Sequence, residues 1–126
     1  MKYINQLMAA VFGFIGLINH SVLAEQTIPP QQAASIDLME KGKNLAFNRR
    51  KGNCLACHYI QGGTLMGNTG PALLAMKQRF PERDKLIAQI TDARTNNSNT
   101  LMPPFGAHGI LTEQEIQLVV DWLYTL

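Results

Sequence analysis

Cysteine is almost missing from this sequence. There are two in 126 residues, Cys54 and Cys57, and they stand close together. A disulfide framework of the kind that staples small secreted domains takes four or more cysteines spread along the chain. A structural zinc site built from cysteine pairs needs a second pair, and none exists. Excess charge is missing too, with 11 Lys+Arg against 9 Asp+Glu. The one dense cationic group, Arg49-Arg50-Lys51, reads as a solvated helix end. Nothing resembles the basic stripe by which proteins hold nucleic acid. No apolar run is long enough to span a bilayer: the longest, Leu7 to Ile18, falls short of the roughly 20 residues a spanning helix needs. Strand-like alternation and internal repeats are also lacking, which leaves an all-α domain as the expected class.

What is present begins with a secretory signal layout: Lys2, the apolar run, then Val22-Leu23-Ala24 as a cleavage site. Residues 1–24 are therefore expected to be a signal peptide, with export to the periplasm and no membrane span after cleavage. His20 would leave with the signal. Residues 25–34, polar with a Pro29-Pro30 pair, read as an N-terminal tether, and residues 35–126 as one domain. A first helix is expected from Ser35 to about Asn48, with Ile36, Met39, Gly42, Ala46 and Phe47 on one face. Gly42 costs a helix roughly 1 kcal/mol relative to Ala. It is explained equally by close approach of another helix or by simple tolerance.

The glycine-rich stretch 52–71 should be loop. A short helical piece is expected from Ala72 to Phe80. A further helix should open at Pro81, with Glu82 and Asp84 in its first turn and Leu86, Ile87, Ile90 and Ala93 on its apolar face. Residues 94–100 are asparagine-rich loop, and Pro103-Pro104 forbids regular helix around them. Thr112 and Glu115 form a capping box before the clearest helix, on which Ile116, Val119, Val120 and Leu123 recur at helical spacing.

Chemistry centres on Cys54-Leu55-Ala56-Cys57-His58, a C-x-x-C-H string. At this spacing the two thiols can form thioethers with the vinyl groups of one haem, and the next residue brings an imidazole to the iron as proximal ligand. One covalent haem c is the expected cofactor. A large apolar cofactor would also help to fill the modest core of a domain this size. Candidates for the other axial position are Met39, Met66, Met76, Met102 and His108, or an open site. Met39 and Met76 lie on expected helix faces, where methionine is usually core. Met66 follows His58 too closely to pass easily around the haem edge. Met102 lies far along in a loop, and Pro103 restrains its backbone, so Met102 is the favoured ligand and His108 the runner-up. A ligating histidine donates its other N–H to a carbonyl as a rule, and Pro71 is the expected donor's partner. No residue set suggests catalysis on this chain itself. Asp121 and Glu82 read as solvated carboxylates.

Several strings carry a family resemblance: Lys51 to His58, Gly70-Pro71, Asn99 to Gly106, Ile110-Leu111-Thr112, and Val119 to Leu126. Together they resemble the SoxX family, the monohaem c-type cytochrome subunits of the SoxAX complex of bacterial sulfur oxidation. The resemblance covers about Ser35 to Leu126. It implies a class I cytochrome c fold, with first and last helices crossing beside the haem and His58/Met102 ligation. It also implies a SoxA-like cytochrome partner, on which thiosulfate is joined oxidatively to a cysteine of the carrier SoxYZ, an L-cysteine S-thiosulfotransferase activity. The SoxX-like haem would then pass the electrons to a soluble cytochrome.

Three rivals stand beside this reading. One is a free-standing monohaem carrier, which lacks the large apolar interface of an obligate subunit. Trp122, Tyr124 and the prolines near Phe105 are the candidates for such an interface, with the chain's own core as the default place for each. Another is a thiol–disulfide protein using Cys54 and Cys57. The last is a haem gas sensor with an open sixth position.

Overall fold

The computed structural model describes residues 29–126. The expected signal peptide, 1–24, and the first four tether residues lie outside them. The described residues are all-α, with no strand among them. Four α-helices, α1 (Pro30–Phe47), α2 (Met76–Arg79), α3 (Arg83–Thr91) and α4 (Glu113–Leu123), are joined by loops that hold two single 3-10 turns, Cys54–Ala56 and Ala93–Thr95.

Helix α1 begins at Pro30 and not at Ser35. Pro30 occupies the first turn, where its fixed φ suits a helix and its missing N–H costs nothing. The Gln-Gln-Ala-Ala that follows propagates helix readily. Ser35 does not cap; its hydroxyl donates to the Gln32 carbonyl at 2.8 Å within the helix. Residues 30–38 are exposed throughout, so this half of α1, Ile36 included, adds nothing to the core.

The C-terminal half of α1 packs on α4. Gly42 and Ala46 are buried there. A Cβ on Gly42 would collide with the Leu118 carbonyl and stand 2.9 Å from Trp122 Cβ. The two backbones therefore meet at Gly42, and of the two explanations for this glycine it is close approach that applies. Beside the contact the Phe47 ring meets Trp122 edge to face, with centroids 5.5 Å apart, a favoured aromatic geometry.

Helix α4 starts with the capping box: Glu115 N–H donates to Thr112 Oγ1 at 3.2 Å, and Thr112 N–H to Glu115 Oε2 at 2.9 Å. The same Glu115 accepts from Lys51 Nζ at 2.8 Å. Lys51 is thus a partner of α4, whereas its neighbours Arg49 and Arg50 are exposed at the end of α1.

Between these helices two expected elements are shorter than their patterns suggested. Ala75 takes a left-handed backbone, φ 50°, so α2 is limited to four residues instead of running from Ala72 to Phe80. Pro81 precedes α3, which opens at Arg83 with Asp84 in the first turn and buries Leu86 and Ile90. Arg83 ties α3 to α4 through Asp121 Oδ1 at 2.6 Å and the Gln117 side chain. Tyr124 Oη donates to the Phe80 carbonyl at 2.7 Å. Trp122 and Phe105 belong to the chain's own core. For Trp122 that is the default place. Pro104 is buried and Pro103 exposed.

Candidate functional site

Asn53 adopts a left-handed backbone, φ 46°, and turns the chain into the 3-10 turn that carries Cys54. The turn is closed by Cys57 N–H and His58 N–H, which both donate to the Cys54 carbonyl, at 3.2 and 2.9 Å. The three chemistry-bearing side chains of the C-x-x-C-H string are thereby brought to one wall of a cavity of about 570 Å³. Met102 and Pro71 line the same cavity. All five residues singled out by sequence thus share one enclosure, although Met102 is distant from the others along the chain.

The imidazole of His58 is held from two sides. Its Nδ1 lies 2.6 Å from the Pro71 carbonyl. An acceptor-only carbonyl requires the proton on Nδ1, which leaves Nε2 as the free electron pair. Gly70 lies against the ring, where an added Cβ would stand 2.7 Å from Nδ1. Gly70 was legible in sequence only as a loop glycine next to Pro71; its role as a floor for the imidazole needs the fold.

Burial pushes the Cys54 thiol up to about 11, and the nearby Cys57 adds to the effect. At neutral pH it is a thiol and not a thiolate. Dithiol exchange relies on a lowered cysteine pKa, so this environment speaks against the thiol–disulfide rival.

The remaining axial candidates separate by position. Met39 and the exposed His108 do not line the cavity. Met66 is turned away from it, its sulfur accepting from Ile60 N–H at 3.2 Å. Met76 lines it, but is 2 % exposed and packed in the core, with Arg79 Nη1 3.7 Å from its sulfur. Met102 is half-buried in the loop that follows Thr100, whose hydroxyl accepts from Met102 N–H at 3.1 Å. Gln89 Nε2 lies 3.7 Å from the Met102 sulfur. Gln89, on α3, is a site residue that sequence reasoning missed, because a polar residue between Ala88 and Ile90 reads as solvent-facing.

The enclosure fits a haem on its own chemistry. Its walls are mostly apolar, from Leu73, Leu86, Ile90, Phe105, Val119 and Leu123 among others, as a porphyrin face requires. Its charged lining residues are Arg49, Lys51 and Arg79, with no carboxylate among them, which suits the propionates of a haem. Two thiols at vinyl spacing and a histidine with Nε2 free complete the set.

A family model described as "Cytochrome C oxidase, cbb3-type, subunit III" matches residues 37–123. No curated protein matches the chain.

Proposed function

The chain belongs to the family of c-type cytochrome domains described as cbb3-type cytochrome c oxidase subunit III, and from that premise we propose that it is the electron-relay subunit of a SoxAX-type L-cysteine S-thiosulfotransferase. A domain of this family carries one covalently attached haem, and electron transfer is the activity that goes with it. When bound, the haem supplies a one-electron ferric/ferrous couple. The observation that carries the haem-relay part of the reading is the convergence of Cys54, Cys57, His58 and Met102 on a single apolar cavity.

Each residue has a separable task. Cys54 and Cys57 tether the cofactor as thioethers. His58 presents Nε2 to the iron, and the Pro71 carbonyl fixes the tautomer and the ring orientation. Met102 supplies a soft thioether that favours the ferrous state. Were His58 and Met102 both to hold the iron, no position would be left for substrate, which favours relay over gas sensing. The apolar walls would keep water from a bound haem and so limit the solvent that has to reorganise when its charge changes.

The sulfur chemistry belongs to the partner. There a bond forms between the terminal sulfur of thiosulfate and a cysteine sulfur of SoxYZ. The thiol proton is released and two electrons depart, one at a time, through this chain to a soluble cytochrome in the periplasm. The support for this finer assignment is the resemblance of the Asn99–Gly106 loop and the Val119–Leu126 ending to SoxX. The loop supplies Met102 and the buried Phe105, and the ending is the last part of α4 with its exit.

A free-standing periplasmic carrier that delivers electrons to an oxidase is the alternative. The oxidase in the matching family's description favours it, as does the burial of Trp122 and Phe105 in the chain's own core. Native mass spectrometry of the protein purified from its own periplasm distinguishes the two. A one-haem chain bound to a larger cytochrome, whose reduction depends on thiosulfate and SoxYZ together, supports the subunit. A one-haem chain that stays alone when mixed with its SoxA-like partner supports the carrier.

A further inference from the structure

The asparagine-rich segment before Met102 has no part in the relay as described, yet it touches the site. Asn96 Nδ2 donates to Gln89 Oε1 at 2.8 Å. In that arrangement the Gln89 oxygen is taken, and its NH2 faces the other way. The NH2 faces Met102, with Nε2 3.7 Å from the sulfur, within the range of an N–H···S contact. The Thr100 hydroxyl holds the Met102 backbone at 3.1 Å, and Thr100 N–H donates to the Asn97 carbonyl at 3.0 Å. The thioether is thus gripped by its backbone from one segment and by its sulfur from α3.

We propose that Gln89, oriented by Asn96, is the positioning residue for the axial sulfur. A thioether sulfur has two lone pairs. With one engaged by the Gln89 N–H, the other is directed into the cavity. The grip removes rotamers that an unbranched methionine would otherwise sample, so less order has to be imposed when the iron–sulfur bond forms. The N–H also withdraws electron density from the sulfur, which disfavours the ferric state and raises the potential. The inference rests on Met102 being the sixth ligand.

The test uses the holoprotein with Gln89→Leu, Asn96→Ala and the double variant. Three quantities are read: the sulfur-to-iron charge-transfer absorption, the midpoint potential, and the displacement of Met102 by added imidazole. Gln89→Leu should lower the potential and tighten apparent imidazole binding about fivefold, the factor that one ordinary hydrogen bond corresponds to. Asn96→Ala, which touches neither sulfur nor cavity, should move both in the same direction by less. The double variant should match Gln89→Leu alone, because Asn96 acts through Gln89. Additive effects, or a Gln89→Leu protein with the parent's potential and imidazole affinity, would overturn the inference while leaving Met102 ligation standing. A parent protein with no sulfur charge-transfer band would overturn both.

Discussion

At the scale of single residues the site is a set of close tolerances. Met102→Ala should abolish the sulfur charge-transfer band and lower the midpoint potential while the haem stays covalently attached; visible spectra and a redox titration check this. Gly70→Ala should cut the yield of holoprotein, because a methyl group 2.7 Å from His58 Nδ1 forces the imidazole off the Pro71 carbonyl. Haem stain against total protein measures that loss. Glu115 ties stability to pH. Lys51, first, and then the Thr112 N–H hold its carboxyl below the ordinary carboxylate range. A lowered folded-state pKa means stabilisation that is fully present above the unfolded carboxylate's pKa and is lost as pH falls through the folded value. Glu115→Gln keeps the capping-box geometry. It should cost no more than about 1 kcal/mol at neutral pH, the worth of a half-exposed ion pair, and should flatten the acid limb of a plot of unfolding temperature against pH. At this scale the sequence was most readable where chemistry is local. The C-x-x-C-H string, the Gly70-Pro71 pair and the capping box are each contained in a few neighbouring positions. Gln89 was invisible because its partners, Asn96 and the Met102 sulfur, are set by how α3 meets the following loop.

At the scale of elements the contact between α1 and α4 decides the architecture. Gly42→Ala offers a direct comparison of two magnitudes. Helix propensity alone would gain roughly 1 kcal/mol, whereas forcing a methyl into the Leu118 carbonyl is an overpacking that costs about 1–3 kcal/mol. The variant should therefore unfold at lower temperature than the parent, as calorimetry would show; a rise would mean the helices separate without penalty. Both helices were legible from period and caps. Their extents were less so. The expected helix start at Ser35 missed that the helix begins at Pro30, since Pro-Pro in a polar segment carries a linker signal as strong as its helix-start signal. The predicted helix from Ala72 to Phe80 overlooked that Ala75 leaves the helical region, a backbone choice made by packing and not by alanine's own preference.

At the scale of the whole molecule the cavity stands where a larger protein would have more core. About 570 Å³ of apolar enclosure lies among residues from α2, α3, α4 and the loops. Without the cofactor the lining has little to pack against. Replacing both Cys54 and Cys57 by Ser should leave a chain that loses its haem on dialysis, then binds a hydrophobic dye and unfolds without a sharp transition. No helix among the described residues is long and apolar enough to cross a membrane, and the chain's function at this scale depends on which protein it meets. The closing contact at Gly42 has a further consequence in time. Residues 54–58 are synthesised well before residues 113–123, yet the Gly42 face of the first helix has no partner until the last one arrives. Pairing such distant segments is the slow kind of contact to form. For that interval the Gly42 face of α1 stays uncovered, next to the turn that leads into the attachment motif. The docking of α4 then acts as a latch, shutting a door that the order of synthesis has kept ajar.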